Sequence, residues 1–439
     1  MNTASATTAG TMPSVNRNRL FIMACLSLVV TAMTFAIRAG VLNQLGDEFA
    51  LTATQLGWMN SMAFLGFPVA MMIGGLVYNR LGPKNLMIVA FFGHLLGLVL
   101  TIIATGFWGL IISTFFIGFA NGAVEAACNP MIADMYHKNK TAMLNRFHVW
   151  FPGGIFIGAL ASQGLSSIGM GWQIQVGIML IPTAVYGYMV FTETFPKSEF
   201  TLTDTGENIR ALFKPLFIVM LILMTMTATT ELGTGQWIQT ILAGSGASGL
   251  MVLALTAGLM AVGRYFAGPI VHRFNPVGVL LGSAIFSALG LFLFTQTSGA
   301  MVYVAAIVFA LGVTYFWPTM IGFIGEYLPR TGALGMSLMG GAGMFGVSIW
   351  NPVIGGWLDS ASEAATTSGL DGAAAEIAAG QAVISRLMVF PILLIVAFAI
   401  LYFMRLKRPE EHAPEAVVHE GAPVSSAAAE PADDPAKRA

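Results

Sequence analysis

Charge is what this sequence lacks most. Of its 439 residues only 9% are Asp, Glu, Lys or Arg, where a soluble domain of ordinary composition carries roughly 25%. With 56% hydrophobic residues, the medium such a surface suits is lipid. The formal net charge is −1, which gives no basic footprint for nucleic acid. Cysteine is scarce too: Cys25 and Cys128 stand in separate apolar stretches, neither in a C-x-x-C pair, which argues against a zinc site or a disulfide framework. No G-x-x-x-x-G-K-[ST] run occurs, so nothing points to an ATP-driven pump. No cofactor is expected.

What is present is a series of long apolar runs. A bilayer core about 30 Å thick needs about 20 apolar residues in a helix. Segments meeting that test lie near 19–44, 54–79, 85–105, 107–134, 143–166 and 172–192, then near 214–242, 247–271, 276–296, 300–327, 333–357 and 381–405. The expected fold is an all-α membrane protein: twelve transmembrane helices in two pseudo-symmetric six-helix bundles, 19–192 and 214–405. Residues 1–18 form a cytoplasmic tail, 193–213 a cytoplasmic linker, and 406–439, rich in Ala, Pro and Glu, a disordered cytoplasmic tail. Arg17 and Arg19 before the first run resemble the start of a signal peptide. The run is too long and lacks a small-residue cleavage site, so it reads as an uncleaved span.

Basic residues fall on alternate connections: Arg17 and Arg19, Arg80 and Lys84, Lys138 and Lys140, Lys197 to Lys214, Arg273, Arg330, and Arg405 to Arg408. The opposite connections have no Lys or Arg; Asp47 and Glu48 sit in one, and Asp359, Glu363, Asp371 and Glu376 in another. By the positive-inside rule both termini are cytoplasmic, which only an even number of spans allows. The sequon Asn139-Lys140-Thr141 then lies on the cytoplasmic side and is idle. The halves also repeat. Gly75-Leu-Val-Tyr-Asn79-Arg80 follows the second span and Gly268-Pro-Ile-Val-His272-Arg273 the eighth; Asn129-Pro130-Met131-Ile132 and Trp317-Pro318-Thr319-Met320-Ile321 form a second pair. Offsets of about 190 positions imply an internal duplication.

The loop Gly75, Asn79, Arg80, Gly82, Lys84 between spans two and three resembles the major facilitator superfamily, with Asn79 where the family usually has Asp. Within it the chain resembles the fucose–proton symporter (fucose permease-like) group. The resembling residues are Glu125-Ala-Ala-Cys-Asn129-Pro130, Leu144-Asn145, Gly263-Arg264-Tyr265 and His272-Arg273-Phe274-x-Pro276. The resemblance implies alternating access, a cavity lined by spans one, four, seven and ten, and sugar transport driven by protons. It also implies a bacterial inner-membrane protein, working as a monomer. The group's intramembrane Asp on span one is matched by Ala39, beside Arg38. Its polar residues on span five are matched by His148 and Phe151.

A charge at mid-bilayer costs at least ~2.5–3.5 kcal/mol and so marks a functional site by default. Arg38 on span one, Glu125 on four and Glu231 on seven are the candidates. Arg38 carried through the repeat lands close to Glu231, so the two are expected to face each other across the pseudo-twofold axis. A carboxylate parted from its arginine in a desolvated cavity takes up a proton readily. Glu125 and Glu231 are therefore the candidate proton carriers, with Arg38 binding substrate or competing for the carboxylate; the bland alternative is a fixed ion pair that pins helix packing. The candidate substrate contacts are Arg38, Glu125, Asn129, Asn145, His148, Glu231, Trp237 and Trp317, the tryptophans offering flat faces to sugar rings or simply packing. Asn79, Arg80, Arg146, Arg264 and Arg273 are candidate gating residues, Arg146 and Arg264 by snorkelling or by pairing with Asp134 or Glu326. His94 reads as packing, and Arg386 has no evident partner.

Pro130 and Pro318 interrupt helical hydrogen bonding, and the carbonyls they free need a cavity or a partner. Gly341-Ala-Gly343-Met-Phe-Gly346 matches G-x-G-x-x-G but follows no strand, so it reads, like Gly154-x-x-x-Gly158, as close helix packing. The expected partners are the bilayer, protons and one small molecule. That molecule is a monosaccharide or polyol, or alternatively an organic anion or sugar acid held by Arg38. A sensor or intramembrane enzyme would need a soluble output domain or an H-E-x-x-H constellation, and the chain has neither.

Overall fold

The computed structural model describes residues 15–136, 140–196 and 205–405, and among them all regular structure is helical. The first half holds α1 (Arg17–Phe49), α2 (Ala53–Tyr78), α3 (Arg80–Ile102), α4 (Phe107–Met135), α5 (Trp150–Ser167) and α6 (Trp172–Thr192). The second holds α7 (Pro215–Ile241), α8 (Gly249–Tyr265), α9 (Arg273–Gln296), α10 (Met301–Tyr327), α11 (Gly332–Thr367) and α12 (Gly372–Phe403). Each expected span coincides with one of these. Among the described residues, nine pass the test of length and apolarity for crossing a membrane, and α8 is a shorter apolar helix. A short helix, Lys140–His148, leads into α5, and another, Thr205–Leu212, lies in the connection expected to be a plain linker. Residues 1–14 and 406–439 of the expected tails, Lys138, Asn139 of the sequon and Lys197 lie outside the described residues, while α1 begins at Arg17, within the expected N-terminal tail.

Local signals set the ends and bends. Thr52 and Gln55 form a capping box at the start of α2, each side chain bonding the other's backbone N–H. Between α2 and α3 the chain turns at Gly82, whose φ of +71° suits glycine, with Pro83 next. Near the start of α9 it turns at Asn275, with φ of +53° and Pro276 next. The same left-handed residue before proline recurs about 190 positions later, which is the duplication expressed in backbone geometry.

Packing follows the apolar patterning. Large apolar residues such as Ile112, Ile181, Leu311 and Ile400 remain exposed on the outside of the bundle, where lipid rather than water is their proper solvent. Inside, α1 packs on α5 and α7, α2 on α4 and α11, and α5 on α8. Gly154 and Gly158 serve the first of these contacts, since a Cβ on them would stand 2.6 Å and 3.0 Å from the methyls of Ala32 and Ala36. The two halves are sealed at one end. There a Cβ on Gly57 would lie 2.5 Å from the Asn351 carbonyl and one on Gly355 2.2 Å from the Ala53 carbonyl. The sealed end is the one whose connections carry no Lys or Arg.

Candidate functional site

Among the described residues, three polar clusters are built on the buried charged side chains Arg38, Glu125 and Glu231. The first is built on Arg38 in α1, buried at 6% exposure. Its Nε–H is shared between Asn60 Oδ1 of α2 at 3.0 Å and Gln236 Oε1 of α7 at 2.8 Å. Gln236 in turn donates its Nε2–H to the Phe35 carbonyl at 2.9 Å. Helical spacing puts Phe35 and Phe64 one turn from Arg38 and Asn60, and the guanidinium lies 5.1 Å and 5.5 Å from the two ring centroids. One arginine thus ties both halves together between two aromatic rings.

The second cluster joins α4 to the start of α5. Asn129 Nδ2 donates to Glu125 Oε2 at 2.6 Å, one helical turn away, and Asn129 Oδ1 lies 3.1 Å from His148 Nε2. A carboxylate only accepts, so Glu125 fixes which way the Asn129 amide points, and the amide oxygen requires a proton on His148 Nε2. The other ring nitrogen, Nδ1, faces Glu125 Oε1 at 4.0 Å. Glu125 is buried and His148 partly exposed.

The third cluster is Glu231, which sits in a π-helical turn, Thr229–Gly233, inside α7. Such turns are rare and concentrate at functional sites. Arg264 of α8 donates Nη2–H to Glu231 Oε1 at 3.2 Å and Nε–H to the Thr314 carbonyl at 3.0 Å. That carbonyl is free because residue 318, four positions on, is a proline with no N–H to give. A space lies between α1, α5, α7, α8 and α10, lined by Phe35, Ile155, Glu231, Gln236, Met260 and Phe309 among others.

Several expectations are corrected. Arg38 and Glu231 do not face each other: Arg38 meets Gln236, five residues and more than one turn further along α7, and Glu231 is paired with Arg264. Arg264, a candidate for snorkelling or for pairing with Asp134 or Glu326, donates to Glu231 and to the Thr314 carbonyl within the second half. Trp237 is fully buried, its Nε1–H donating to Asn351 Oδ1 at 3.0 Å, so its ring is core and presents no face to a substrate. Trp317 is partly buried and packs on Gly343, where a Cβ would stand 2.9 Å from the ring. His94 is locked between Tyr186 and Asn121 at 2.8 Å and 2.7 Å, as packing requires. Arg386 lies over the Trp357 ring at 5.9 Å and donates to the Trp357 carbonyl. Arg80, Arg146 and Arg273 are exposed near helix ends, and the side chains of Asn79 and Asn145 fall outside the described residues.

A family model described as the Major Facilitator Superfamily matches residues 23–350. The chain belongs to that superfamily. Among curated superfamily relatives it is similar to the arabinose-proton symporter of Escherichia coli (strain K12), at 23% identity over 214 residues, covering 48% of this chain and 45% of that protein. The chain spans less than half the length of the curated relatives it matches. Among solved structures it resembles that of a D-xylose-proton symporter, with TM-score 0.70, 14% identity, and 90% and 98% of the two chains covered. The crystal structure of nucleoside transporter NupG gives TM-score 0.69 at 14% identity, covering 88% and 98%. At such identities the likeness is one of fold. The superfamily fold brings Asn60, Gln236 and the Phe35–Phe64 pair into the site, none of which the sequence singled out. A polar amide inside an apolar span was the signal available for Asn60 and Gln236.

Proposed function

We propose that this chain is a secondary active transporter that carries a monosaccharide or related polyol together with protons by alternating access. The observation that carries this reading is Arg38, held at once by Asn60 of the first half and Gln236 of the second, beneath a seal that closes one end. A site built from both halves is remade whenever the halves rock, which is what couples binding to movement. The arabinose-proton symporter to which the chain is similar and the residues resembling the fucose–proton symporter group support the sugar assignment. We place the protein in a bacterial inner membrane as a monomer with both termini cytoplasmic. The sealed end then faces the periplasm and the conformation is inward-facing. Arg80, Arg146 and Arg273, with Asn79, border the opposite side and act in gating.

Protons enter through two carboxylates. The Glu125–Asn129–His148 cluster holds one proton between acid and imidazole, with the His148 side chain partly exposed. Glu231 holds its charge against Arg264 while that pair is intact and accepts a proton when movement of α7 against α8 parts them. Reconstituted vesicles test this directly: an imposed proton gradient should drive sugar accumulation in wild type. Glu125→Gln and Glu231→Gln should lose accumulation while keeping counterflow exchange. Gradient-driven accumulation that survives in both variants would refute the coupling scheme.

A further inference from the structure

The guanidinium of Arg38 is incompletely matched by the protein. Only its Nε–H is engaged; Nη1, Nη2 and the neighbouring Asn60 Nδ2 have no partner. The carboxylates of the other two clusters are committed elsewhere, Glu125 to Asn129 and His148 and Glu231 to Arg264. A buried cation with free N–H groups and no counter-charge is unfavourable unless something negative reaches it, and the Phe35 and Phe64 faces compensate only in part. The free edge consists of donors alone. A sugar hydroxyl would bring a donor of its own and leave the charge unanswered. A carboxylate brings acceptors alone, one negative charge, and the planar shape that a guanidinium fork binds through two parallel bonds.

A space adjoins this cluster, bounded by Gln236 and Phe35, both touching Arg38. Thr234 Oγ1 and Glu231 Oε2, on residues lining it, are buried without partners and suit hydroxyl groups. We propose that the substrate is a sugar acid of monosaccharide size. Its carboxylate sits on Arg38 Nη1 and Nη2 beside Asn60, and its hydroxylated body lies towards Thr234 and Glu231. This rests on the transport reading above and puts a sugar acid in place of the neutral sugar or polyol as the substrate.

The test uses the full-length protein, in detergent for calorimetric binding and in vesicles for uptake. The probes are D-glucuronate, D-galacturonate and D-gluconate against D-glucose, D-galactose and D-glucitol. Wild type should bind at least one acid roughly 100-fold more tightly than its neutral counterpart, because a site built to hydrogen-bond a group rejects the analogue that lacks it. Arg38→Gln should abolish that preference, and Arg38→Lys should restore only part of it, since an ammonium keeps the charge but not the fork. The wild-type comparison stands without either variant should one fail to fold. Neutral sugars bound and carried as well as or better than the acids would overturn the carboxylate assignment and leave the sugar-transport reading intact. Failure of every acid and every neutral sugar to bind or move would overturn both.

Discussion

Asp359 and Thr54 lie in different halves of the chain and are joined twice. Asp359 Oδ2 accepts from the Thr54 N–H at 2.9 Å and from its hydroxyl at 2.5 Å, while Oδ1 accepts from the Ala53 N–H at 2.8 Å. The carboxylate therefore caps the start of α2 from across the seal, where unpaired N–H groups and the helix dipole both favour an anion. Asp359→Ala should weaken the seal by about 1–3 kcal/mol, the worth of charge-assisted bonds at a partly buried site. Spin labels near the ends of α2 and α11 would read this as a longer distance population. An unchanged distribution would show that the bond does not hold the seal.

The same end depends on backbone contact. Because a Cβ on Gly57 would meet the Asn351 carbonyl at 2.5 Å, Gly57→Val should stop α2 and α11 from closing. Net uptake should fall at least roughly tenfold with substrate affinity little changed, since the block is to isomerisation and not to the site. Normal turnover in this variant would mean that the crossing is looser than described.

In the Glu125 cluster, His148→Gln keeps a donor towards Asn129 but removes the titratable ring. Proton-driven accumulation should fall while binding persists. Accumulation equal to wild type would exclude His148 from the proton path.

Pro318→Ala gives residue 318 an N–H that can claim the Thr314 carbonyl, now bonded by Arg264 Nε at 3.0 Å. Arg264 loses an anchor, so its grip on Glu231 should loosen and proton-driven accumulation should fall while facilitated exchange continues. Coupling equal to wild type would show that the Thr314 contact is incidental.

Trp237→Phe removes the hydrogen bond to Asn351. Leaving that buried acceptor unpaired should cost about 1–3 kcal/mol, visible as a lower Tm. Affinity for substrate should not change, because the ring lies in the core. A large affinity loss with no stability loss would return Trp237 to the binding site.

Much of this protein is written locally. Spans of lipid length, the alternation of basic connections and the paired turns at Gly82-Pro83 and Asn275-Pro276 can all be read along the chain. Each depends on hydropathy, charge or backbone sterics within a few residues. So can the presence of Arg38, Glu125 and Glu231 as costly charges inside apolar runs. The Glu125–Asn129 contact follows too, because both stand one turn apart on one helix.

Which partner each charge takes is another matter. Arg38 meets Gln236 and not Glu231 because a shift of five residues along α7 changes both height and face, and nothing in either segment fixes how the two helices slide and turn against each other. The trans cap of Asp359 on α2, the Arg264 bond to a carbonyl freed by Pro318, and the burial of Trp237 against Asn351 each join residues far apart in sequence. Composition and period determine that there are helices in a bilayer and which residues are too costly to be idle. Only the packing of twelve helices against one another decides which of those residues meet.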